Sequence, residues 1–71
     1  MLFRIKAGDR EFYMVRASAQ PVIELAREKC RQLPVGETVT AFCGDQRIYE
    51  GTRYSLFSDV DTERFGPLDE S

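Results

Sequence analysis

Only one stretch of this chain repeats its apolar residues with a helical period; most of the rest alternates. Val22, Ala26, Cys30 and Leu33 recur at helical spacing, with Ile23 and Leu25 beside them. Glu24, Arg27, Glu28 and Arg31 take the other side, and Glu24–Arg27 and Glu28–Arg31 read as i,i+3 pairs worth about 0.2–0.5 kcal/mol each. Ser18 is the expected N-cap, Pro21 falls in the first turn where its missing N–H is harmless, and Pro34 and Gly36 stop the helix. One helix covers only one face of a sheet. The other face of any sheet this chain builds must stay open or find another cover.

The sheet is read from period-two segments. Phe3, Ile5 and Ala7 oppose Leu2, Arg4 and Lys6; Gly8-Asp9-Arg10 reads as a turn. A second strand over 11–17 sets Tyr13, Val15 and Ala17 opposite Phe12, Met14 and Arg16. A third, over 37–43, sets Val39, Ala41 and Cys43 opposite Thr38, Thr40 and Phe42. Gly44-Asp45 reads as a two-residue hairpin loop. The fourth strand, over 46–50, turns Ile48 inward and Arg47 and Tyr49 outward, and residues 52–57 read as a fifth. The expected fold class is α+β: a single small domain, ββαβββ, with a mostly antiparallel sheet and one helix packed on one face.

The chain has 71 residues, room for one domain that buries only about 60% of its unfolded surface. Residues 1–57 carry nine Lys/Arg against seven Asp/Glu, and form the expected α+β domain. Residues 58–71 carry Arg64 against Asp59, Asp61, Glu63, Asp69 and Glu70, and read as an acidic, flexible C-terminal tail, with Phe65 and Leu68 able to pin part of it. The spacing of Asp59, Asp61, Glu63 and Glu70 superficially suggests a calcium loop, but Arg64 stands where such a loop needs glycine. No metal is expected there. Cys30 and Cys43 lie far apart without a CxxC and read as buried thiols. The alternating, charged start has no apolar h-region, and no apolar run approaches a membrane span, so the expected location is cytoplasmic with no membrane contact.

The chain contains no histidine. The usual Ser-His and Cys-His nucleophiles and the common zinc spacings are therefore absent, and the carboxylates Asp9, Glu11, Asp45 and Glu50 lie near turns without apolar context to raise their pKa. No enzymatic activity and no cofactor are expected. Binding is the remaining class. With Phe3, Ile5, Tyr13, Val15, Val39, Ala41, Ile48, Tyr54 and Leu56 assigned inward, the open face carries Leu2 and a candidate partner-binding set: Arg4, Lys6, Phe12, Met14, Arg16, Phe42, Arg47, Tyr49 and Arg53. Arginine and aromatic residues are enriched at interface hot spots. The same set suits a protein partner or nucleic acid, and it suits burial under the tail or in a homodimer; the net charge of −2 weighs against nucleic acid. The helix ridge of Arg27 and Arg31 is a second candidate surface.

The opening hairpin (Leu2–Lys6 and Phe12–Ala17), the junction Ala17-Ser18-Ala19, the helix Val22-Ile23-Glu24-Leu25-Ala26 and the return Pro34–Val39 follow one another in a set order. In this order the segment resembles small phage host-takeover proteins: several anti-CRISPR proteins and the small phage inhibitors of bacterial RNA polymerase. The resemblance implies a non-enzymatic inhibitor in the cytoplasm of a bacterial host. Its partner would be a bacterial protein or ribonucleoprotein complex that handles nucleic acid, blocked by occlusion.

Overall fold

In the computed structural model, which describes residues 1–58 and 60–68, five strands and one helix follow the order ββαβββ. They are β1 (Leu2–Ala7), β2 (Arg10–Val15), α1 (Gln20–Gln32), β3 (Thr38–Cys43), β4 (Gln46–Thr52) and β5 (Thr62–Leu68). The strands form one antiparallel, open sheet in the order β2-β1-β3-β4-β5. The result is a small α+β domain with the helix on one face.

Two Gly-Asp loops set the register. Gly8 and Gly44 have φ of 61° and 62°, a left-handed conformation at the first loop position that closes a two-residue hairpin without splaying its strands. Ala7 therefore pairs with Arg10, and Cys43 with Gln46. In β2 this moves the expected strand start forward by one residue, to Arg10. A shift of one residue turns every side chain over. Phe12 and Met14, expected on the open face, stand opposite Ile5 and Phe3 and pack against the core. Tyr13 and Val15, expected inward, are 62% and 68% exposed, and Ala17 is exposed beyond the strand.

The helix stripe is as expected. Val22, Ala26 and Cys30 are fully buried against Phe3, Ile5, Val39 and Ala41, with Ile23, Leu25 and Leu33 half-buried at its margins. The cap is not as expected: Ala19, not Ser18, is the N-cap, and no side chain caps it. At the other end the Leu33 N–H donates to the Cys30 carbonyl, and the Arg53 guanidinium donates to the Leu33 carbonyl at 2.6 Å. A cation there also suits the helix dipole.

The fifth strand lies further along than expected. Residues 53–58 form a loop in which Tyr54 and Leu56, assigned inward, are exposed; β5 uses 62–68, inside the stretch read as a flexible tail. The expected tail acids Asp59, Asp69 and Glu70 lie outside the described residues, as does the side chain of Leu68.

A bulge sorts β4. Ala41 faces Tyr49 but Phe42 faces Arg47, so Ile48 is an extra residue between them. Arg47 and Tyr49, two apart and expected on the same face, end on opposite faces. Tyr49 is fully buried under the helix side, and Ile48 packs partly against the same core.

Candidate functional site

The face of the sheet away from the helix is uncovered among the described residues, and its side chains follow from the strand pairings. Tyr13 pairs with Arg4, Arg4 with Phe42, and Phe42 with Arg47. These four residues make one row across four strands, alternating aromatic and cation. The Arg4 guanidinium carbon lies 4.2 Å from the centre of the Phe42 ring, a cation–π contact that fixes both side chains. Leu2 pairs with Val15 beside the row, and both are exposed. The next row runs Glu11, Lys6, Thr40, Glu50 and Arg64. Glu11 accepts from the Tyr13 hydroxyl at 2.9 Å and lies 3.9 Å from Arg4; Glu50 lies 3.4 Å from both Arg47 and Arg64. Among the described residues these two rows thus carry four cations and two carboxylates, in a chain whose net charge is −2. A depression of about 240 Å³ lined by Leu2, Arg4, Tyr13, Gly44 and Asp45 indents one end of the row.

Of the candidate residues, Arg4, Lys6, Phe42 and Arg47 are on this face. Phe12, Met14 and Tyr49 are on the helix side. Arg16 lies with Met14 and Glu24 at the helix side of β2, and its guanidinium donates to the Val15 carbonyl. Arg53 is spent on the helix C-terminus. Tyr13 and Val15 take the places that Phe12 and Met14 were given. Reading Gly8-Asp9 as a two-residue loop finds them.

A second apolar feature had no signal in the expected strand of 52–57. The Asp61 carboxylate accepts from the N–H groups of Tyr54 and Ser55, and Ser55 Oγ accepts from the Phe57 N–H at 3.1 Å. These bonds hold a loop that leaves Leu56 75% and Phe57 100% exposed. The Asp61 carboxyl is held below its ordinary range by the Tyr54 N–H first, then by Ser58.

Under the opposite face, Glu63 on β5 is the hub of a polar cluster. It accepts from Arg27 Nε on α1 at 2.6 Å and from the Tyr49 hydroxyl at 2.6 Å. The Arg27 hydrogen bond pulls the Glu63 carboxyl below its ordinary range, and Arg27 is raised in turn. Burial, then the Glu63 hydrogen bond, pushes the Tyr49 phenol well above its ordinary range. All three shifts lead away from neutrality. The cluster is fitted to hold β5 against α1 rather than to trade protons. Phe65 completes it, edge-on to Tyr49 at 5.4 Å. The helix pairing expected between Glu24 and Arg27 is thus replaced by a longer-range one. Of the acids in the superficial calcium spacing, Asp61 and Glu63 are engaged by protein donors, and Asp59 and Glu70 lie outside the described residues.

Cys30 and Cys43 are free thiols; Cys30 is buried and Cys43 only half-buried, so the second is less enclosed than expected. No described helix is long and apolar enough to cross a membrane. No family model, curated protein or solved structure matches this chain.

Proposed function

We propose that this domain works by binding: a non-enzymatic inhibitor that docks its open sheet face on a bacterial protein complex that handles nucleic acid, and blocks it by occlusion. The observation that carries the binding reading is the row Tyr13–Arg4–Phe42–Arg47, uncovered beside exposed Leu2 and Val15. Large apolar and arginine side chains left together on one face mark an interaction surface. The positive balance of this face favours a partner with an acidic surface. The kind of partner rests on the resemblance in element order to phage host-takeover proteins, with anti-CRISPR proteins the first reading and inhibitors of bacterial RNA polymerase the second. Tyr13 and Phe42 also present π-faces of the kind that stack bases, which supports single-stranded nucleic acid as the reading from another class.

The test is capture from bacterial lysate by the immobilised domain, with and without nuclease treatment, read by mass spectrometry for protein and by gel staining for nucleic acid. CRISPR effector subunits support the first reading and RNA polymerase subunits the second. A single protein or complex is expected for wild type and lost with Phe42→Ala. Capture of nucleic acid alone, weakening steeply with salt, supports base stacking instead.

A further inference from the structure

The edge strand β2 carries a second, independent surface. The helix lies over β1, β3 and β4 and stops short of β2. The inward side chains of β2, Phe12 and Met14, are therefore only half-buried, and a gap remains between the strand and α1, in which the Lys29 ammonium stands 4.4 Å from the centre of the Phe12 ring. At one end of it a depression of about 250 Å³ is lined by Arg10, Phe12, Lys29 and Leu33. At the other end one of about 310 Å³ is lined by Met14, Arg16, Glu24, Leu25 and Glu28. One end carries two cations; the other carries two carboxylates beside one cation.

The backbone of β2 has a definite free edge. The two-residue loop makes Ala7 and Arg10 a bonded pair, and the Met1 and Arg16 backbones exchange hydrogen bonds at 3.0 and 3.1 Å. Bonded pairs alternate along an antiparallel ladder. Arg10, Phe12, Met14 and Arg16 thus spend their N–H and C=O groups on β1, and Glu11, Tyr13 and Val15 turn theirs outward. Little blunts this edge: β2 has no proline, glycine or bulge, and of its outward groups the Val15 carbonyl is capped by the Arg16 guanidinium at 2.8 Å, whereas the opposite edge strand carries Pro67, which has no N–H.

We propose that β2 is the seam of a homodimer, in which a second copy adds its own β2 antiparallel, Tyr13 opposite Tyr13. This register lets the outward groups of Glu11, Tyr13 and Val15 in each copy all meet a partner, the Glu11 N–H taking the place of the Arg16 guanidinium on the Val15 carbonyl. Tyr13 bonds its counterpart, and Glu11 of each copy bonds Val15 of the other. The same register sets Phe12 opposite Met14 of the second copy, closing the half-buried apolar side chains against one another. It also turns the cationic end of each gap, with Lys29, toward the acidic end of the other, with Glu24 and Glu28. A two-fold interface needs this self-complementarity. The one opposed like pair, Arg10 with Arg16, falls at the outer ends of the seam, where Glu24 and Glu28 lie beside Arg16. The two sheets become one, and the aromatic–cation rows of the open faces meet at Tyr13.

Sedimentation equilibrium with amide hydrogen exchange tests this on the full chain. The expected result is a concentration-dependent dimer in which the amides of Glu11, Tyr13 and Val15 gain protection as dimer forms, while those of Phe12 and Met14 are protected throughout. Lys29→Glu weakens the dimer about tenfold, as two symmetric surface ion pairs are reversed, and Glu28→Lys added to it restores the affinity. Phe42→Ala, two strands from the seam, leaves the dimer intact even where it abolishes partner binding, so the seam and the face fail separately. A single-copy mass up to millimolar concentration overturns the proposal, and so does a dimer whose Glu11, Tyr13 and Val15 amides exchange as in the monomer.

Discussion

Tyr49 has room for its hydroxyl because residue 51 has no side chain: a Cβ on Gly51 would stand 2.6 Å from the Tyr49 oxygen. Gly51→Ala is expected to cost about 1–3 kcal/mol by overpacking, read from a urea titration, and to displace the hydroxyl from Glu63. The pH dependence follows from the same pair. The folded pKa of Glu63 is lower than its unfolded value, so its stabilisation is present above the ordinary value of 4.5 and is lost as pH falls through the folded pKa. The folded pKa of Tyr49 is raised, so its stabilisation is present below 10.0 and is lost as pH rises through the folded pKa. Urea titrations at pH 7 and pH 3 should therefore show a smaller difference in Glu63→Gln than in wild type; an unchanged difference would contradict the role of Glu63. At the loop tip the expectation is opposite in kind. Phe57→Ala should leave stability within about 0.5 kcal/mol, because its ring touches solvent.

At the scale of elements, β5 is the claim most open to test. It pairs only with β4, and reaches α1 through Glu63 and Arg27. Removing 62–71 strips the partner from the buried Tyr49 hydroxyl and its edge-on ring contact, besides a ladder. A loss of about 3 kcal/mol or more is expected, which in a domain this small lowers Tm by roughly 12–24 °C. An unchanged Tm would show that these residues are a tail after all. The β2 assignment has an equally direct check: Phe12→Ala should destabilise more than Tyr13→Ala. The element order and the helix stripe were legible because periods of 3.6 and 2 survive in the residues themselves. The faces of β2 and β4 were not, because each turns on one residue. In β2, Gly8-Asp9-Arg10 reads as a three-residue turn, whereas the loop has two residues, and that one-residue difference reverses the strand. In β4 the bulge at Ile48 breaks the alternation, and an isolated strand carries no mark of it. The shift of β5 had a different cause. Thr52–Phe57 has the alternation and aromatics of a strand, but the bonds from Asp61 and Ser55 hold its second half as a loop. Four of the nine candidate residues were thus legible on this face: Arg4, Lys6, Phe42 and Arg47 lie on strands whose registers suffered neither error at those positions.

For the molecule as a whole, charge is spread unevenly. The open face holds Arg4, Lys6, Arg47 and Arg64 against Glu11 and Glu50, while on the helix side Glu24, Glu28 and Glu63 stand among Arg27, Lys29 and Arg31 and roughly balance them. Net charge alone hides the cationic excess of the open face, and that excess is the physical basis for favouring an acidic protein surface as its partner. On the proposed reading the open face, and not the helix ridge, does the binding. Isothermal titration of the partner captured from lysate tests it most directly, comparing wild type with Phe42→Ala on the row and Arg31→Ala on the ridge. A loss of about tenfold or more, roughly 1.4 kcal/mol, is expected for Phe42→Ala, and wild-type affinity for Arg31→Ala. Wild-type affinity in Phe42→Ala together with a tenfold loss in Arg31→Ala would contradict it and move the binding surface to the helix.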